Sequence, residues 1–213
     1  LGAKADPDVD DIRVDGKPLP RKISPVTIAL NKPIGYVSTV RDPHAKHTVM
    51  ELVRGLSQRV YPVGRLDADS AGLLLLTNDG ELAQLLTHPR HQVPKTYRVV
   101  VRGQVSEWAM TDLRKGILLE DGMCSPAEVV WVGYDAKNNT TILDITLREG
   151  RKRQVRHMLV AVGYPVLALT RTRIGPIHLK GLAPGTWRKL HPAEVESLRE
   201  CARGSALSKD VIH

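Results

Sequence analysis

Phenylalanine is absent from this 213-residue chain, and aromatic residues make up only 4% of it. That scarcity argues against a broad aromatic platform on which successive bases of a single strand could stack. Cysteine is almost as scarce. Cys124 and Cys201 lie far apart and form no CxxC pair, so neither a disulfide framework nor a thiolate zinc site is indicated. A reducing, cytoplasmic setting fits this usage. No apolar run approaches the roughly 20 residues needed to span a bilayer, and no signal peptide is visible at the start. No membrane partner is expected. Gly-rich loops of the Walker or Rossmann kind are also missing, which turns the reading away from nucleotide hydrolysis and hydride transfer. The eight histidines form no ligand constellation: His88 and His91 flank Pro89-Arg90, which breaks helical spacing, so no metal is expected.

Basic residues, by contrast, are in excess. There are 31 Lys plus Arg against 23 Asp plus Glu, and the formal net charge is +8. Such a balance attracts polyanions, nucleic acid above all, although a solvated basic surface would account for the total equally well. Hydrophobic content of 42% and charged content of 25% are those of a folded chain with a real core.

Strand signals outnumber helices along the chain. Val26 to Leu30, Leu73 to Thr77, Lys95 to Arg102, Glu128 to Val132, Thr141 to Leu147 and Val166 to Arg173 read as strands. The segment Gly35-Tyr36-Val37 reads as a hairpin partner of the first. Helices are expected over Thr48 to Leu56, over ELAQLLTH after an Asn78-Asp79-Gly80 cap, from Ser106 to Lys115, and from about Pro192 to Ala202. Interspersed helices and dominant strands predict an α+β fold with a mixed, mainly antiparallel sheet.

Three places could carry chemistry. In GRLDADSAGLLLLTNDG (64–80), the uninterrupted run Leu73–Leu76 marks a strand buried on both faces. Asp67, just ahead of it, could face a cleft from a rigid backbone, or could be a turn residue paired with Arg65. Asp69 and Ser70 read as turn or cap residues. A paired-carboxylate glycosidase site on Asp67 and Asp69 is disfavoured, since neighbours two apart on one turn rarely flank a sugar properly. Tyr97 shares a strand face with Val99 and Val101, so it is either core packing or one wall of a pocket. In LREGRKRQVRHMLVAVGYPV, Val155, Met158, Leu159 and Val162 fall at i, i+3, i+4 and i+7 and predict a helix stopped by Gly163. Arg151, Lys152, Arg153 and Arg156 crowd its start, against the local helix dipole. A bound polyanion would explain that arrangement; a solvated face is the plainer reading for Arg156 taken alone.

These same motifs, GRLDADSAGLLLLTNDG, KTYRV (95–99) and EGRKRQVRHM (149–158), resemble the RsuA/RluB/RluE family of bacterial ribosomal RNA pseudouridine synthases. Supporting matches are LNKPIGYVST (30–39), ELAQLLTHPRH (81–91) and LTRTRIGPIHLKGLAPGTWRKL (169–190), so the resemblance covers about residues 25 to 200 in order. It implies the pseudouridine synthase fold with a basic active-site cleft over residues 24–203, after a 1–23 remnant of an S-four-type RNA-binding domain and linker and before a flexible tail at 204–213. Leu1 in place of an initiator methionine agrees with a trimmed chain.

The implied reaction isomerises a uridine in folded ribosomal RNA. The glycosidic N–C bond breaks, the uracil turns, and its C5 rejoins the ribose. The change is redox-neutral and needs no cofactor. By resemblance Asp67 is the nucleophile, attacking the sugar or assisting glycal formation; Tyr97 stacks on the uracil; Arg156 pairs with Asp67 and holds it ionised. Arg65 would keep the target nucleotide out of the stack, while Arg151, Lys152, Arg153, Gln154 and Lys32 would meet RNA. Lys152 stands where many relatives have Asn or Tyr. The 104–122 stretch, QVSEWAMTDLRKGILLEDG, leans towards members acting on large-subunit rRNA, with small-subunit rRNA or a non-catalytic rRNA-binding module as alternatives. A monomer is expected.

Overall fold

Turn and strand signals translate into elements with small shifts of boundary. The computed structural model describes residues 13–14, 17–18 and 24–207. Short strands β1 (Arg13–Val14) and β2 (Lys17–Pro18) pair antiparallel; the rest of the expected 1–23 remnant lies outside the described residues. There follow β3 (Thr27–Lys32), β4 (Tyr61–Pro62), β5 (Ala71–Thr77), α1 (Gly80–Thr87), β6 (Lys95–Arg102) and α2 (Glu107–Lys115). A small hairpin, β7 (Leu118–Leu119) and β8 (Gly122–Met123), precedes the long hairpin of β9 (Glu128–Asp135) and β10 (Thr140–Leu147). The chain ends with α3 (Gln154–Ala161), β11 (Val166–Ile174), β12 (Ile177–His178), β13 (Trp187–Lys189) and α4 (Pro192–Leu207). Helix α4 thus runs past residue 204, where the flexible tail was expected to begin. Among the described residues no helix is long and apolar enough to cross a membrane.

One mixed sheet organises the molecule, in the order β13-β3-β5-β11-β6-β10-β9, with β4 on β5 and β12 on β11. Every pairing in it is antiparallel except β5 with β11, so the mixed, mainly antiparallel sheet read from the sequence is found. The leucine run of β5 is buried on both faces because alternate side chains enter different cores. Leu73 and Leu75 join Ala29, Leu82, Leu86 and Leu198 under α1 and α4. Leu74 and Leu76 join Ile28, Leu30, Val49 and Val53 on the other face. A third core packs Val99, Val101, Leu143 and Ile145 against α2 and α3 through Leu113, Met158 and Leu159.

Caps fall where the sequence put them: Asp79 accepts from the Leu82 N–H at 2.9 Å and Ser106 from the Ala109 N–H at 3.2 Å. One local expectation is met in shortened form and one fails. The short helix expected over Thr48–Leu56 is a 3-10 helix, Val49–Val53. The Gly35–Val37 segment is not a hairpin partner of β3, whose neighbours are β5 and β13. Pro33 ends that strand's ladder, and Gly35 instead donates its N–H to Ala68 O at 2.7 Å.

The β5–β11 pairing consists of two register partners, Thr170 with Ala71 and Arg171 with Gly72. Gly72 has φ of +109°, and a Cβ built there would lie 2.3 Å from Arg171 O and 2.7 Å from Arg171 N. No other residue fits such an approach of two backbones. Gly72→Ala is expected to part β5 from β11 and to lower unfolding stability by at least about 2 kcal/mol, measured by urea titration.

Lys32, expected to meet RNA, is instead fully buried at the end of β3, with Nζ donating to Pro33 O at 3.0 Å. Burial pulls its amine down to about 8, against the partial support of Asp69. Burial does the same to Lys95, also to about 8, with Arg171 adding to the effect. The unfolded chain titrates these amines near ~10.4, so between the two values it binds more protons than the folded state. Stability should therefore rise with pH across that window. Lys32→Met is expected to raise stability at pH 7 and to flatten that rise, read from denaturation midpoints at pH 7 and pH 9.5.

Candidate active site

Residues 67–70 form a tight turn, closed by the Ser70 N–H donating to Asp67 O at 3.1 Å. Its flanks are fastened by groups distant in sequence. The Ser38 hydroxyl donates to Leu66 O at 2.8 Å and accepts from the Leu66 N–H at 3.1 Å. Arg171 donates from Nε to Leu73 O at 2.7 Å and from Nη1 to Arg65 O at 3.3 Å, so one guanidinium holds both ends of the 65–73 segment. Leu73 O needs that donor because the β5–β11 ladder has already stopped at Gly72. Asp67, 42% exposed at its side chain, consequently projects from a backbone fixed on both sides.

Sheet register sets what lies opposite. Gly72, Arg171 and Tyr97 occupy neighbouring positions across β5, β11 and β6. Tyr97 is half-buried, packs against the third core, and lines with Asp67 a cleft of about 660 Å³. Both readings of the tyrosine are thus met in one ring: core on one side and pocket wall on the other. Arg65, Lys95, Arg148, Arg151, Lys152, Arg153 and Arg171 also line the cleft, against the carboxylates of Asp67 and Glu149.

The arginines of α3 close the far side, and their partners differ from those expected. Arg156 does not pair with Asp67. Its Nη2 donates to Asp69 O at 2.9 Å and to Ser70 Oγ at 3.3 Å, and lies 3.3 Å from Asp69 Oδ2. The physical reason is position: Asp69 and Ser70, at the end of the turn, face α3. Arg153 spans both carboxylates, with Nη2 at 2.9 Å from Asp69 Oδ2 and Nη1 at 3.8 Å from Asp67 Oδ2. The Arg153 hydrogen bond, aided by the charges of Arg153 and Arg156, holds the Asp69 carboxyl below its ordinary range. Arg153 itself stands at the N-cap of α3 with φ of 52°, left-handed for a non-glycine residue, a conformation costing about 1–2 kcal/mol. An ion pair as exposed as Arg153–Asp69 contributes about 0.2–1 kcal/mol. The contact therefore organises the site more than it stabilises the fold.

Other expected RNA contacts turn inward. Gln154 is buried; its amide bonds Glu149, and its Oε1 accepts from the Arg151 N–H at 3.3 Å. Arg151 donates to Asp121 Oδ1 at 3.2 Å, to Gly122 O at 2.9 Å and to Met123 O, which ties the β7–β8 hairpin to the cleft rim. Arg65 and Lys152 do remain exposed. Asp69 and Ser70, expected as turn residues, do form the turn and in addition receive Arg156; Arg171, hidden among the basic residues of a strand, was missed. The one signal available for Asp69 was its place two residues from Asp67 in a basic chain. Among the described residues no group of three His, Cys, Asp or Glu side chains is placed to hold a metal ion.

Comparison with known proteins places this geometry in a family. Residues 26–161 match the sequence profile of RNA pseudouridylate synthases. An uncharacterized RNA pseudouridine synthase of Aquifex aeolicus is 45% identical over 93% of this chain and 79% of its own length. The ribosomal large subunit pseudouridine synthase B of Bacillus subtilis is 42% identical over 91% of this chain and 79% of its own. Among solved structures, a pseudouridylate synthase crystal structure superposes with a TM-score of 0.70 at 32% identity, covering 82% of this chain and 74% of that one. With its fold, the spacing of its motifs and these relatives in agreement, the chain belongs to the RNA pseudouridylate synthase family.

Proposed function

We propose that this protein isomerises a uridine of ribosomal RNA to pseudouridine, with large-subunit rRNA as the substrate, acting as a monomer in the cytoplasm and without a cofactor. The observation that carries the reading is the placement of Asp67: half-exposed, on a turn clamped from both sides, and lining one cleft with Tyr97. The large-subunit substrate in the name of the Bacillus subtilis relative supports the choice of RNA. Neither Cys124 nor Cys201 is in a disulfide, which suits the reducing cytoplasm.

In this reading the target nucleotide leaves its stack to reach the cleft, with exposed Arg65 beside its path. Tyr97 stacks on the uracil. Asp67 acts on the ribose as the glycosidic N1–C1′ bond breaks. The uracil turns within the cleft, a C5–C1′ bond forms, and the proton lost from C5 is balanced by the one gained at N1. No electron acceptor or energy source is needed. Cationic Arg153 stands 3.8 Å from Asp67 without occupying it in a short hydrogen bond.

Asp67→Asn should abolish pseudouridine formation in rRNA purified from cells lacking the gene, mapped site by site, while circular dichroism and RNA affinity stay near wild type. Conversion by the Asn variant would remove Asp67 from its role. Neutralising Arg65 and Lys152 together should weaken RNA binding and reduce the slope of log K against log salt by roughly 1–2. An unchanged slope would move the RNA-binding surface elsewhere.

A further inference from the structure

The cleft is larger than one reacting base requires. It encloses about 660 Å³, a size that takes a whole small-molecule ligand and exceeds the single uracil stacked on Tyr97. Its lining also runs on past Asp67 and Tyr97. Lys95 precedes Tyr97 by two residues on β6, so its side chain leaves the same sheet face about 7 Å farther along. Leu147 is the register partner of Lys95, which sets Arg148 beside it. The chain leading into β6 adds His88 and Gln92 to the lining.

That 88–92 turn is fastened by its buried member. His91 Nδ1 lies 3.2 Å from Ala202 O on α4, and its Nε2 accepts from Arg90 Nε at 2.9 Å. Gln92 takes no part in this fastening, yet it stands at φ of 45°, left-handed for a non-glycine residue. Its N–H bonds Pro89 O at 3.3 Å, while its half-buried side-chain amide makes no hydrogen bond among the described residues. A strained backbone that presents an unpaired amide to a cleft points to a ligand. His88 supplies a second polar group. Its Nδ1 accepts from the Arg90 N–H at 3.2 Å, so the neutral ring carries its proton on Nε2, which is left to donate.

We propose that this end of the cleft binds a second nucleotide, the one adjoining the target uridine, with Gln92 and His88 on the edge of its base and Arg148 at its phosphate. This rests on the cleft taking a uridine of RNA. A side-chain amide offers both donors and an acceptor, which matches the mixed hydrogen-bonding edge of an unpaired base. Arg148 is exposed and is approached by Glu128 only at 3.4 Å, so its guanidinium is available to a phosphate. Sequence next to the uridine is then read inside the cleft itself.

The test uses the full chain with Gln92→Gly and His88→Asn. Glycine removes the amide and suits the left-handed backbone, and Asn keeps an acceptor at the start of the turn, so urea midpoints should stay near wild type. Substrates are synthetic rRNA fragments carrying the mapped uridine, intact or abasic at the nucleotide on either side. One of the two abasic positions should raise the wild-type KM by about fivefold or more. Gln92→Gly should raise KM on the intact fragment by a similar factor, with kcat changed less than about threefold. Combining the variant with that abasic fragment should add less than about twofold, because both remove the same contact. His88→Asn should show the same pattern with a smaller rise. By fluorescence anisotropy, Gln92→Gly should leave the slope of log K against log salt unchanged, since an amide releases no counterions.

A wild-type protein indifferent to both abasic positions, a wild-type KM in Gln92→Gly, losses that multiply in the combination, or a shallower salt slope overturns the proposal. The same cycle read as binding by anisotropy needs no turnover. Fragments that bind without being converted by the wild-type protein count against the assigned reaction, while the binding cycle still decides the second site.

Discussion

The two-residue parallel contact between β5 and β11 is the constraint on which the rest of the site depends. On one side of it lie β13, β3 and β5, which carry the turn with Asp67 and Asp69; on the other lie β11, β6, β10 and β9, which carry Tyr97. The helix with the arginines, α3, packs on that second half. Carboxylate, aromatic ring and guanidinium therefore reach one cleft only if the halves meet in this register. Antiparallel hairpins could not supply the junction, because β5 and β11 run in the same direction and almost a hundred residues of chain lie between them. Close approach at Gly72 lets the backbones meet, and Arg171 then fastens the segment that diverges.

Charge is distributed with a sense that net charge does not convey. Two cations that determine the site's shape are buried, Arg171 and Lys32, and Lys95 is half-buried. The carboxylates are the more exposed partners, Asp67 and Asp69 at 42% and 48% of their side chains. Burying lysines is costly, as their lowered proton affinity records. The Asp69 carboxyl, by contrast, is held below its ordinary range by Arg153 and Arg156. Exposed Arg65 and Lys152 stand outside this arrangement, available to a polyanion.

Legibility from the sequence followed the reach of the physics involved. Period-two and apolar-run signals are local, so β5, β6, β9 and β10, the caps Asp79 and Ser106, and the stripe of α3 were readable within a few residues. The place of Gly35–Val37 was not, since a tertiary contact with the 65–70 turn decides it. Among site residues, Asp67 and Tyr97 were found chiefly through motif resemblance, with burial pattern as support. Gln154, Arg151 and Lys32 were assigned to RNA through the family resemblance, whereas the fold spends their hydrogen bonds on its own loops.

The sequence by itself determined the elements, the basic balance and the three motifs that mark the family, because each is written in neighbouring residues. It left open which of two carboxylates an arginine would take, since Asp67 and Asp69 differ by two positions on one turn and no local rule separates them. Only the tertiary structure decided that. The direction in which the turn faces α3 gives Asp69 the short bonds and leaves Asp67 turned to the cleft, a geometric outcome that distance along the chain does not encode.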